Sequence, residues 1–198
     1  MQARLASMDD AELQWIALAR GGDQRTFRLL VDAHARKVRA LCLRITRDPA
    51  LADDAVQETF YNVWRHLGSF DERAAFTTWL HRVAVNAALE QLRRNARHQN
   101  EVSHAWEEAD GDGADYLSTL ADELPGPEDH TAIAQLTEHI GAQMGALSAT
   151  ERAAFVLRHW EGQGLNEIAQ TLSMNSGQCK QAIFRAVRKL RGALESVR

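Results

Sequence analysis

Apolar positions recur along this chain at three- and four-residue intervals, and no stretch alternates as a strand would. Over residues 10–20, Leu13, Ile16 and Leu18 have helical spacing, and Gly21-Gly22 ends the run. Asp23 is placed to cap a long helix. Its apolar stripe is Phe27, Leu30, Val31, His34, Val38, Leu41 and Ile45, and its polar face carries Arg25, Arg28, Arg36, Lys37, Arg39 and Arg44. Asp48-Pro49 marks a break and a new start, with the carboxylate as cap and proline in the first turn. The following stripe is Leu51, Ala55, Val56, Phe60, Val63, Trp64 and Leu67, closed by Gly68-Ser69. After a short loop, Phe70-Asp71-Glu72-Arg73, a fourth helix is expected from about 75 to 97 on Trp79, Leu80, Val83, Ala84, Ala87, Ala88 and Leu92. Four such helices suffice for one compact core.

Periodicity lapses over 98–130, where Gly111, Gly113, Pro125, Gly126 and Pro127 punctuate an acidic run. It resumes with Ile133, Leu136, Ile140 and Met144. Ser148 and Glu151 then form a capping box ahead of Phe155, Val156, Leu157 and Trp160. Gly162 and Gly164 break that helix. A short helix over 165–172, a turn at 173–177 and a last helix over 178–195 follow, the last with Ile183, Val187, Leu190 and Leu194 facing inward. Two short helices around such a turn, the second basic, form a helix-turn-helix pattern. Ile168, Ala169 and Leu172 pack the first helix on the second, which projects its early side chains into a major groove. Gln178, Lys180, Gln181 and Arg185 are the candidate base readers. Arg188, Lys189 and Arg191 suit phosphate, and the amides of Gly177 and Gln178 are placed to meet an anion. The alternative is a basic helical hairpin with a solvated face.

Composition narrows the classes. The chain has 198 residues, 45% hydrophobic and 25% charged, enough for one domain or two small ones. The net charge of -4 conceals an uneven distribution. Residues 1–97 carry +3, residues 98–151 carry -12 with no Lys or Arg, and residues 152–198 carry +5. Such asymmetry suits two nucleic-acid-facing domains joined by an acidic linker, or simply solvated helix faces and a spacer. Cys42 and Cys179 support neither a disulfide framework nor a cysteine zinc site. Cys42 lies on an apolar face. Cys179 lies near a helix start, where a thiol pKa falls, so a redox role stays open. Among the eight histidines, His98, His104, His130 and His139 lie near Glu107, Asp110 and Asp112 but match no metal-ligand template. His34 and His81 read as ordinary packing or surface residues. No apolar run approaches the ~18 residues of a membrane span, and the N-terminus lacks an apolar signal core, so a soluble, reducing compartment is expected.

Several motifs together carry a family resemblance. Leu147-Ser148, Glu151-Arg152, Ala154-Phe155 and Leu157-Arg158, then Glu167-Ile168-Ala169, Lys180, Phe184-Arg185-Ala186 and Leu190-Arg191, resemble region 4 of bacterial sigma factors. Asp53-Asp54-Ala55-Val56-Gln57-Glu58-Thr59-Phe60 with Trp64 is similar to sigma region 2.2. Phe76-Thr77-Thr78-Trp79-Leu80, Ala84, Asn86 and Leu92-Arg93-Arg94 are similar to regions 2.3 and 2.4. With nothing resembling region 1.1 or region 3, the arrangement resembles the extracytoplasmic-function (ECF) class.

The resemblance implies an all-α protein of two small helical domains. These are region 2 over 1–97, an acidic flexible linker over 98–132, and region 4 over 133–198. It implies a transcription initiation factor rather than an enzyme, with no cofactor, metal or small-molecule substrate. Its partners would be core RNA polymerase, promoter DNA and an anti-sigma factor, often a membrane protein, that holds such factors at the inner membrane face of the cytoplasm. Asp53, Asp54, Gln57, Glu58 and Trp64 would meet the polymerase, although Asp53 and Asp54 also complement a helix dipole. Phe70, Asp71, Asn86, Arg82, Arg93 and Arg94 would bind the melted minus-ten element, Phe70 by stacking and Asn86 by its donor and acceptor. Trp79 lies on the apolar stripe, which favours packing over stacking. Gln178, Lys180, Gln181, Phe184, Arg185 and Arg188 would read the minus-thirty-five duplex. Where the family commonly has Gly-Thr-Val-Lys-Ser-Arg, this chain has Gly177-Gln178-Cys179-Lys180-Gln181-Ala182, so the reader set is altered. Glu90 stands where the family often has Asp.

Overall fold

A computed structural model describes residues 2–71, 75–103 and 143–195. The helices are α1 (Gln2–Arg20), α2 (Gln24–Thr46), α3 (Pro49–His66), α4 (Phe76–Ser103), α5 (Ala149–His159), α6 (Leu165–Thr171) and α7 (Ser176–Glu195), with a 3-10 turn at Leu67–Ser69 after α3. Among the described residues there is no strand.

The helix starts follow from local chemistry. Asp23 accepts from the Arg25 and Thr26 amides and Asp48 from those of Ala50 and Leu51, each cap being worth about 1 kcal/mol. Helix α2 stops at Arg47, whose backbone enters the left-handed region at φ 59° while its N–H donates to the Leu43 carbonyl. Helices α2, α3 and α4 pack on one another, with α1 laid against α2. Their core is built from Leu30, Val38, Leu41, Cys42, Ile45, Ala52, Ala55, Val63, Leu67, Leu80, Ala84, Val85 and Ala88, all buried. Arg20 fastens the α3–α4 corner by donating to the Leu67 and Phe70 carbonyls.

Two expectations for this half need correction. Of the three apolar positions expected in α1, Ile16 is buried, together with Ala19, whereas Leu13 and Leu18 are exposed. Helix α4 continues to Ser103, so the first residues of the expected linker, 98–103, are helical. The rest of that linker lies outside the described residues, as do Ile133, Leu136 and Ile140.

The C-terminal half is smaller. Ser148 Oγ accepts from the Glu151 amide, and the Glu151 carboxylate accepts from the Ser148 amide, so the capping box is present. Helix α5 buries Ala153, Ala154, Val156 and Leu157. Trp160 does not join that core. It lies 44% exposed at the helix end, beneath the Arg44 guanidinium. Ile168 and Ala169 are buried between α6 and α7, and Ser173 makes the turn with a left-handed φ of 52°. Helix α7 turns inward Cys179, Ala182, Ala186 and Leu190, with Ile183 and Val187 half-buried. These positions are three and four apart, and their small side chains let the helices approach closely.

The halves touch where α5 meets α2 and the early part of α4. Arg152 Nε donates to the Ile45 carbonyl (2.6 Å), and Glu161 lies 3.3 Å from His81 Nδ1 and 3.8 Å from an Arg44 nitrogen.

Candidate nucleic-acid and polymerase interface

Helix α7 buries one stripe and leaves the other to solvent. Gln178, Lys180, Gln181, Phe184, Arg185 and Arg188 are all exposed along its outer side. Phe184 is 63% exposed, more than any other large hydrophobic side chain among the described residues. Two local contacts restrict this face. Asn175 and Gln178 cap α7 reciprocally: the Gln178 amide donates to Asn175 Oδ1 (2.8 Å), and Gln178 Oε1 accepts from the Asn175 amide (2.9 Å). The Gln178 amide is therefore engaged rather than open to an anion, and its side-chain oxygen is taken as well. Behind the helix, the buried Glu151 carboxylate lies 3.2 Å from Arg185 Nε and 2.7 Å from Lys189 Nζ. Burial alone would raise the Glu151 pKa. The Lys189 and Ser148 donors and the charges of Lys189 and Arg185 outweigh it, and the carboxyl is held below its ordinary value. Glu151 thus fixes two of the basic side chains from beneath.

Cys179 does not have the reactive environment its position suggested. It is fully buried, and burial raises its pKa despite the opposing charge of Arg158. Cys42 is likewise a core residue, its thiol pushed up to about 12 by burial.

On α4, Arg82, Asn86, Arg93 and Arg97 are exposed and spaced to share one side of the helix. Glu90, on the same side, lies within 3.1–3.4 Å of Arg93, Arg94 and Arg97. Arg94 is also tied to Glu58 of α3 (3.1 Å), which accepts from Gln91 as well. Desolvation acts upward on Glu90, but the Arg93 hydrogen bond and the Arg94 and Arg97 charges prevail and lower its pKa.

Phe70, expected to stack on a base, is buried in this half. It is only 4% exposed, packed against Phe76 and Trp79 with ring centroids 5.5 Å away in each case. An aromatic in a loop beside two others on the next helix gains more by completing a cluster than by facing water. Its ring lies within this cluster, and Trp79 packs against the core as its stripe position suggested. Asp71 is exposed, and residues 72–74 of the same loop lie outside the described residues.

On α3, Asp54 and Gln57 are exposed. Asp53 pairs with Arg39 (2.7 Å) at the surface, Glu58 faces α4, and Trp64 is half-buried edge-on to Phe27 (4.9 Å). Tyr61, not singled out from the sequence, extends the exposed stripe of Gln57 and stacks with Arg65. Its i, i+4 spacing from Gln57 was the available signal. Glu90 and Glu151 were similarly visible only as spacing, not as the organisers of basic clusters.

Both halves match one family of known proteins. The Sigma-70 region 2 family model matches residues 30–98, and Sigma-70 region 4 matches residues 131–190. RNA polymerase sigma-H factor of Pseudomonas aeruginosa is 30% identical, covering 94% of this chain and 95% of the relative. ECF RNA polymerase sigma-E factor of Haemophilus influenzae is 30% identical over 83% of this chain and 85% of its own. The chain belongs to the ECF class of RNA polymerase sigma factors. In fold it is similar to the sigma factor RpoE of Bartonella quintana, solved in complex with the anti-sigma factor NepR (TM-score 0.63, 19% identity, covering 87% of this chain and 98% of that one). It is also similar to CnrH, solved with the cytosolic domain of CnrY (TM-score 0.61, 23% identity, 94% and 99% covered). The region 2 match takes in most of α2, all of α3 and most of α4, and the region 4 match takes in α5, α6 and most of α7. No helix among the described residues is long and apolar enough to cross a membrane.

Proposed function

We propose that this sigma factor binds core RNA polymerase through the α3 face of Asp54, Gln57 and Tyr61. It reads the upstream promoter element as duplex with α7 and the downstream element as melted strand with α4. The exposed Phe184 in the middle of a basic, otherwise polar helix face supports this reading most. An apolar ring there contacts a thymine methyl in the major groove, while Lys180, Gln181 and Arg188 supply polar contacts to base edges and phosphates. On α4, Asn86 offers a donor and an acceptor to an unstacked base, and Arg82, Arg93 and Arg97 follow the backbone. Such factors act by binding and positioning and make no covalent change themselves. An anti-sigma partner suits the chain because the RpoE structure similar in fold was solved with the anti-sigma factor NepR. We place the protein in the cytoplasm, held at the inner membrane face where that partner is membrane-bound.

Run-off transcription on a fragment library of the source genome, with core polymerase alone and with this protein added, tests the reading. New protein-dependent start sites are expected. Tight promoter binding without polymerase and no new starts would instead identify a free-standing helix-turn-helix regulator.

A further inference from the structure

We propose that Gln178 reads the upstream duplex as a hydrogen-bond donor only. Its side-chain oxygen is committed to the cap of α7, so it selects a guanine edge and rejects the adenine that a free glutamine pairs with. The inference rests on the reading of the upstream element by α7 proposed above, and it names what one residue of that helix selects.

Two glutamines, Gln178 and Gln181, lie one turn apart on the exposed side of α7. A free glutamine amide offers an acceptor oxygen beside a nitrogen with two donor hydrogens. That pair matches adenine, which offers N7 as acceptor beside its N6 donor. Among the described residues the Gln181 side chain has no hydrogen-bond partner, so both its groups stay open. Gln178 differs. Its Oε1 accepts from the Asn175 amide (2.9 Å), while its own backbone N–H donates to Asn175 Oδ1 (2.8 Å). A backbone N–H only donates, so it holds the oxygen of the side-chain amide and not the nitrogen. The arrangement is a capping box with glutamine at the third helical position. Its neighbours keep it in place. A Cβ at Gly177 would stand 3.2 Å from Asn175 Oδ1, so glycine leaves that oxygen room to reach the Gln178 amide. Ser176 Oγ donates to Asn166 Oδ1 (3.3 Å), which ties the same turn to α6.

Nε2 of Gln178 is thus left with two donor hydrogens and no acceptor beside it. In the major groove only guanine presents two adjacent acceptors, O6 and N7. Thymine presents one, O4. The adenine N7 stands beside a donor that Gln178 cannot answer, and cytosine offers a donor alone. The expected order is guanine, then thymine, then adenine, with cytosine last. A recognition helix meets base edges with its N-terminal residues, and Gln178 begins the exposed line that Gln181 and Arg185 continue.

Gln178→Glu separates the cap from the contact. A carboxylate oxygen still accepts from the Asn175 amide, and an acid in the first turn suits the helix dipole, so the variant should melt no lower than wild type. Its second oxygen then accepts where Nε2 donated. Holoenzyme assembled from the full chain and core polymerase is used to select promoters from a library randomised across the upstream element. Wild type should enrich guanine over cytosine about fivefold or more at one position. Gln178→Glu should lose that enrichment and turn it toward cytosine, whose N4 donates, with the other positions unchanged. An enriched element whose base preferences survive Gln178→Glu overturns the inference. That holds if binding is unchanged, as for a cap alone, or weaker for every sequence alike, as for a phosphate contact. A preference for adenine at the position that Gln178 controls overturns it too. A wild-type selection that enriches no upstream element removes the duplex reading by α7, and this inference with it.

Discussion

Region 2 and region 4 present basic helix faces built in opposite ways. On α4, the arginines share a surface carboxylate, Glu90, and are cross-linked to α3 through Glu58. These pairs are exposed, so they hold orientation loosely and contribute little stability. On α7, a single buried carboxylate, Glu151, fixes Arg185 and Lys189 from beneath while also capping α5. The first arrangement sits on a large four-helix core, whereas the second depends on a small, alanine-rich one. Surface charge in region 2 is therefore separable from folding. In region 4 the same carboxylate serves both.

The largest expected effect breaks this comparison at the core. Phe70→Ala should cost about 3–5 kcal/mol, because the ring completes a buried aromatic cluster. Phe184→Ala should change stability by no more than about 0.5 kcal/mol while weakening promoter recognition. Thermal melts of the two variants beside transcription assays check both statements. Equal destabilisation by the two would remove the distinction between a core ring and a reading ring.

Glu151→Gln should come next. It loses charge-assisted bonds at a buried site, with an expected cost of about 1–3 kcal/mol, read as a lower melting transition. It also frees Arg185 and Lys189, so the logarithmic salt dependence of DNA binding should steepen by up to about two. Glu90→Gln, on the exposed cluster, should leave the melting transition nearly unchanged. Calorimetry and salt titration of the pair sharpen the contrast.

The smallest effects are pH-linked. His81 has its pKa lowered by burial, with Glu161 acting upward and His34 and Lys37 downward. A histidine whose folded pKa is depressed stabilises the fold above its ordinary value of 6.5, and that contribution is lost as pH falls below it. His81→Gln should flatten the stability profile in that window. Glu151, also depressed, stabilises above its ordinary 4.5 and loses that contribution as pH falls below it, so Glu151→Gln should flatten a separate, more acidic window. Denaturant titrations across pH separate the two.

Much of this was legible in the sequence because it is local. Asp23, Asp48 and Ser148 cap as their spacing implied, and the outer face of α7 is the one its pattern marked. The burial of Phe70 was not legible, because a loop aromatic carries no periodicity to say which way it turns. On α1, Leu13 and Leu18 are as apolar as Ile16, and only the position of α2 decides that Ile16 and Ala19 face inward. The bonds from Arg94 to Glu58 and from Arg152 to Ile45 join residues 36 and 107 positions apart. No short-range rule connects them.

Footprinting of the polymerase complex on one promoter identified by run-off transcription tests the central claim most directly. Duplex protection should be read upstream, and permanganate reactivity of unpaired thymines downstream. The account predicts that Phe184→Ala loses upstream protection first, and that Asn86→Ala keeps it while downstream opening fails. Loss of both signals together in either variant, with folding and core binding intact, would contradict the assignment of separate readers to α7 and α4.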